Sequence, residues 1–167
     1  MKLLVVDIGG LYRSISAKWP GRRLDYLKVK QKIEAEIYVA VGYHVKTEHK
    51  GFVRVLKMIG YLTLYDKVDN LELARSAVNI ALKVVQCNHL ELILGTDDPL
   101  VLPLLRHQRQ RMIPVHLLSV DPSRSMMNEV TKVTLITEEM LLPLPDKDKR
   151  FPDHTQEQID EATKDSK

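Results

Sequence analysis

The chain has 167 residues, 44% of them apolar, enough for one domain with its own core. Its longest apolar stretches are strand-length, which argues against a membrane-spanning helix, and the run in "MKLLVVDIGG" breaks at Asp7, too early for a secretory leader. A single cysteine, Cys87, excludes an internal disulfide, and no clustered His completes a zinc set around it; a cytoplasmic location is expected, and the net charge of +3 is too small to define a partner by itself.

In chain order, "KLLVVD" (2–7) has no polar alternation and reads as a strand buried on both faces. The stretch 24–36 places Leu24, Leu27, Val29 and Ile33 near helical spacing among charges. "IYVAVGYHV" (37–45) is β-branched and aromatic, hence a strand. Residues 49–60 read as a helix closed by Gly60, and 61–66 as a short strand. Residues 70–86 form the clearest helical pattern, with Asn70 as N-cap and Glu72 in the first turn. A strand at 90–95, a helix at 99–111 and strands at 113–120 and 132–137 complete the series. This alternation predicts an α/β fold, a three-layer α/β/α sandwich with a mainly parallel central sheet. The domain is expected to span 1–145. Beyond Pro145 the composition turns polar and charged, so 146–167 is expected to be a flexible tail.

Charge is unevenly spread. Arg13 to Lys32 carries seven basic residues against one acid, and 146–167 carries seven acids against five bases. The basic stretch, with Arg13, Arg22 and Arg23, suits a phosphate backbone; it also suits a solvated helix face plus loop. On the 70–86 helix, Arg75, Asn79 and Lys83 fall on one stripe. That stripe could hold a phosphodiester, or it could be an ordinary polar face. His107 stands among Arg106, Arg109 and Arg111, but these spread around their helix, and His44 reads as structural or surface.

In an open parallel sheet, ligands bind beyond the carboxyl ends of the strands. Asp7 ends the first strand, and Asp97 and Asp98 follow the 90–95 strand. If the two strands are neighbours, these carboxylates converge, and oxygen ligands so grouped favour Mg²⁺ or Mn²⁺. The three acids differ in their structural alternatives. Asp98 precedes Pro99 and reads as an N-cap with proline at the first helical position. Asp97 lies just before that cap and is expected to face the cleft beside Asp7. Asp7, followed by "IGG", could instead close a simple strand-end turn.

The motifs in succession resemble the NYN domain, a branch of the PIN-like nucleases. "LLVVDIGGLYRS" is similar to its first motif, a hydrophobic strand, Asp, then Gly-x-Asn-Leu-Tyr. "GFVRVLKMIGYLTLYDKV" is similar to its second helix and following strand, and "RSAVNIALKVVQ" to its Lys-Gly-x-Asp helix. "LELILGTDDPLVLPLL" is similar to its strand followed by Ser-Asp-x-Asp-Phe-x-Pro-Leu, and "RQRMIPVHLLS" to the next helix end and strand. The likeness covers about residues 2 to 120. It implies a PIN-like, metal-dependent ribonuclease in which Asp7 and Asp97 hold Mg²⁺ or Mn²⁺ and Asn79 and Asp98 complete the catalytic set. A metal-positioned water would attack phosphorus in line, with Arg13, Arg22, Arg23, Arg75 and Lys83 on the RNA. Two positions depart from the pattern: Gly10 stands where the family has Asn, and Asn79 where it has its second Asp. They define the alternative, a degenerate module that binds RNA, a protein partner or a second copy without cutting. "DIGGLY" lacks a full Gly-x-Gly-x-x-Gly run, which argues against a nucleotide-binding Rossmann site. No Ser-His-Asp order or reactive Cys suggests covalent catalysis.

Overall fold

The computed structural model describes residues 1–43, 50–66 and 90–144. Six strands form one sheet: β1 (Lys2–Asp7), β2 (Ile37–Tyr43), β3 (Leu62–Asp66), β4 (Glu91–Gly95), β5 (Val115–Ser119) and β6 (Lys132–Leu135). Their order is β3-β2-β1-β4-β5-β6, every pair parallel. The described helices are α1 (Ile8–Lys18), α2 (Tyr26–Lys32), α3 (Lys50–Met58), α4 (Leu102–Gln110) and the single turn α5 (Arg124–Met127). Short 3₁₀ turns lie at Pro99–Val101 and Glu138–Met140. The predicted α/β fold with a parallel central sheet is what the chain adopts. No described helix is long and apolar enough to cross a membrane.

The apolar runs explain the layering. In β1, Leu3 and Val5 face one side, where they join Leu92, Leu94, Leu117, Leu104, Leu105 and Met126. Leu4 and Val6 face the other, with Leu11, Ile15, Val29, Leu56, Ile93 and Leu118. A strand buried on both faces needs no polar alternation. Helices α1 to α3 contribute to one cluster, and α4 and α5 to the other.

Strand order reverses beside β1: the chain moves outward through β2 and β3, then returns to place β4 on β1's other side. Register pairs Val6 with Gly95, so Asp7 and the residues after Gly95 leave the sheet side by side. This is the switch point at which open α/β sheets take ligands.

Several elements differ from expectation. The sequence placed no helix between Asp7 and residue 24, yet α1 begins directly after the strand, and its Leu11 and Ile15 are buried one turn apart. Helix α2 is shorter than the predicted 24–36. It opens on Asp25, whose carboxylate accepts from Leu27 N and Lys28 N at 3.0 and 3.1 Å. Gly60 closes α3 at φ 92°, as expected. The helix expected at 70–86 and the tail at 146–167 lie outside the described residues.

The basic stretch has structural duties. Segment 136–142 runs along the chain between α1 and α2: Asp25 N donates to Met140 O at 2.9 Å and Leu142 N to Arg23 O at 2.8 Å. Arg22 donates to Leu142 O at 2.7 Å and to Glu138 O at 3.3 Å, and Lys32 pairs with Glu139 at 2.9 Å. Lys30 donates to Ile59 O at 2.8 Å and lies over the Tyr38 ring. Arg106 and Arg109 both pair with Glu129, at 3.3 and 3.2 Å. Of the predicted phosphate contacts, Arg22 is thus engaged within the fold.

Helix α4 ends in a Schellman motif, Ile113 N bonding Gln108 O and Met112 N bonding Arg109 O. The left-handed position falls on Met112, at φ 56° and 90% exposed. Glycine there relieves backbone strain and sacrifices no packing. Met112→Gly is expected to raise stability by about 0.5 kcal/mol, read as a higher urea midpoint at unchanged m-value.

Candidate functional site

Asp7 ends β1 and is also the N-cap of α1. The residue is buried, 2% exposed. Oδ1 accepts from Gly10 N at 2.9 Å, and Oδ2 accepts from the Thr96 hydroxyl at 2.8 Å. Thr96, fully buried at the end of β4, also accepts from Asp98 N at 3.0 Å. Asp98 Oδ1 accepts from Leu100 N at 3.0 Å, capping the 3₁₀ turn at Pro99 as expected, while Oδ2 pairs with Arg13 Nη2 at 3.3 Å. A continuous chain of donors and acceptors therefore links α1's first turn, β1, β4 and Arg13.

Gly10 makes this geometry possible. A Cβ there would lie 2.1 Å from Asp7 Oδ2, 2.9 Å from its Cγ and 3.0 Å from Thr96 Oγ1. The carboxylate occupies the space that a side chain at position 10 would take, so glycine at this position lets Asp7 fold back onto α1.

Asp97 does not face Asp7. Its carboxylate accepts from the Ser119 hydroxyl, from Val120 N at 3.0 and 3.2 Å, and from Asp121 N at 3.0 Å. The cause is topological. Strand β4 lies between β1 and β5, with Gly95 opposite Leu118, so the chain leaving β4 can turn either way, and the main-chain N–H groups after β5 form a ready anion nest. The expectation of Asp97 as the cleft acid beside Asp7 is corrected: Asp98, through Thr96 and through its charge, is the acid coupled to Asp7.

Burial raises the Asp7 carboxyl above its ordinary value, and the Asp98 charge pushes it further up. The Gly10 and Thr96 hydrogen bonds and the Arg13 charge oppose this without cancelling it. A carboxyl raised on folding binds its proton more tightly in the native state. Its contribution to stability is therefore complete below the unfolded pKa and is lost as pH rises through the folded one. Asp7→Asn removes that loss. Paired urea melts at about pH 4 and about pH 7 should show the Asn variant gaining on wild type as pH rises. The opposite trend would mean Asp7 is a normal, paired carboxylate.

Of the other expected residues, Arg13 is at the site and half-exposed. Arg22 and Arg23 follow the C-terminal end of α1, and Arg22 is bonded to carbonyls of the 138–142 segment. Arg75, Asn79 and Lys83 lie outside the described residues. Thr96 and Ser119 were not foreseen. A threonine one residue before an Asp-Asp-Pro run is a signal for the first; the second has none.

Among the described residues no three His, Cys, Asp or Glu side chains gather as a metal set. The cleft holds two carboxylates with an arginine on one of them, and all four of their oxygens accept from protein donors. These are the carboxylates that a Mg²⁺ or Mn²⁺ ion, bound through carboxylates with several waters retained, would meet among the described residues; Asn79 of the expected set lies outside them.

The fold is similar to that of a crystallised Vibrio parahaemolyticus protein of unknown function, with TM-score 0.68 and 16% identity over 84% of this chain and 96% of that one. Likeness at that identity is one of fold. No family model matches the chain, and no curated protein matches it.

Proposed function

We propose that the chain is a non-hydrolytic module of NYN/PIN-like type that binds RNA at the carboxyl edge of β1 and β4 without cutting it. One observation carries this reading: the acids that would hold a catalytic metal are committed within the protein, Asp7 to Gly10 and Thr96, Asp97 to the turn after β5, and Asp98 to Leu100 N and Arg13. The exposed Arg13 at the switch point supports a phosphate-bearing ligand. A cytoplasmic location belongs to the same proposal.

The hydrolytic reading, a Mg²⁺- or Mn²⁺-dependent ribonuclease, retains one observation. Asp7 and Asp98 remain close enough for the second to act on the first, as two ligands of one cation would.

The experiment is fluorescence anisotropy with end-labelled single-stranded RNA, in Mg²⁺ or in EDTA, followed by electrophoresis of the same samples. Binding that weakens with salt, ignores EDTA and leaves the RNA intact is expected. Metal-dependent products that disappear in Asp7→Asn would make the chain an enzyme. Absence of binding would move the partner to a protein or a second copy.

A further inference from the structure

The acidic end of the sheet still contains two carboxylates, one of them buried, and their charge needs a counter-ion. Arg13 is placed to be that counter-ion. It lies on α1 two turns after Asp7, its Nη2 reaches Asp98 Oδ2 at 3.3 Å, and its charge acts on Asp7 as well. A guanidinium is ionised at every accessible pH, and α1 is anchored by the Asp7 cap at one end and by buried Leu11 and Ile15 along its length. The charge is therefore delivered by the fold itself. A divalent cation approaching the same acids meets a like charge already paired with one of them.

We infer that Arg13 is the resident cation of this site, filling the electrostatic role of a metal and excluding Mg²⁺ and Mn²⁺ from Asp7 and Asp98. The inference rests on the non-hydrolytic reading and goes beyond it by naming the group that replaces the metal. It also assigns Arg13 a different task from Arg22, which is bound to the 138–142 segment.

The test is calorimetric titration of the full chain with Mn²⁺, for wild type, Arg13→Lys, Arg13→Gln, Arg13→Ala and the double variant Arg13→Ala/Asp98→Asn. Thermal melts establish that each is folded, and Arg13→Gln keeps hydrogen bonding while removing the charge. Wild type and Arg13→Lys should bind Mn²⁺ weakly at most. Arg13→Gln and Arg13→Ala should bind one Mn²⁺ at least about tenfold more tightly than wild type, equivalent to 1.4 kcal/mol. The double variant should lose that gain. Wild type binding Mn²⁺ as tightly as Arg13→Ala, or folded neutral variants gaining nothing, would overturn the inference. The RNA reading is separable. Failure to bind RNA leaves the Mn²⁺ result standing, and Mn²⁺ binding by wild type without RNA cleavage removes the role of Arg13 while leaving the RNA reading.

Discussion

Alanine in place of Gly10 is expected to lower stability by about 2–3 kcal/mol, although a helical Gly→Ala change ordinarily stabilises by about 1 kcal/mol. The sign reverses because the new Cβ would sit 2.1 Å from Asp7 Oδ2 and 3.0 Å from Thr96 Oγ1. Asp7 must rotate away, and with it go the cap on Gly10 N and the bond from Thr96, leaving a buried donor at each position. Gly51, in the first turn of α3, is the internal control, since nothing lies within 4 Å of a Cβ built there. Gly51→Ala should be neutral or stabilising by about 0.5 kcal/mol. Urea denaturation of both variants gives the comparison. Equal effects at the two glycines would mean that the packing of Asp7 against position 10 has no energetic weight.

Asp97→Ala is expected to cost about 3 kcal/mol, which places it well above the roughly 1 kcal/mol for loss of the Asp98 cap. The Asp97 carboxylate gathers the Ser119 hydroxyl and the N–H groups of Val120 and Asp121. Hydrogen bonds to a charged acceptor are the stronger kind, and Ser119 is fully buried, so its hydroxyl has no water to turn to. Asp97→Asn should recover only part of the loss, because its amide group presents donors to donors. Guanidinium or urea melts measure the order of the three variants. If Asp98→Ala proved costlier than Asp97→Ala, the tie between β4 and the turn after β5 would be weaker than the geometry indicates.

These two substitutions also mark where the sequence was legible. The strands could be read because parallel strands buried on both faces are continuous apolar runs, as Leu3 to Val6 and Leu92 to Leu94 are. Asp98 could be read because cap, proline and helix are consecutive. The course of Asp97 could not, since its acceptors' partners are main-chain groups at 120 and 121, whose N–H positions depend on β5 lying beside β4. Helix α1 was missed for a related reason. Gly9 and Gly10 resemble turn punctuation, and only the fit of Asp7 and Thr96 against Gly10 shows why glycine belongs inside a first helical turn. Thr96 could be noticed only for its place before Asp-Asp-Pro; its role comes from joining β1 to β4. In the basic stretch, charge could be counted, but carbonyls of residues 138 and 142, more than 100 positions away, decide what Arg22 does.

On the proposed reading, Asp7 and Asp98 are satisfied from within the protein and take no metal. Amide spectra of the nitrogen-15-labelled protein, recorded as Mn²⁺ is added, test it most directly, because the paramagnetic ion broadens resonances close to where it binds. The Gly10, Thr96 and Asp98 signals are expected to broaden no more than amides elsewhere. Selective loss of those three signals at low Mn²⁺, reversed by EDTA, would contradict it.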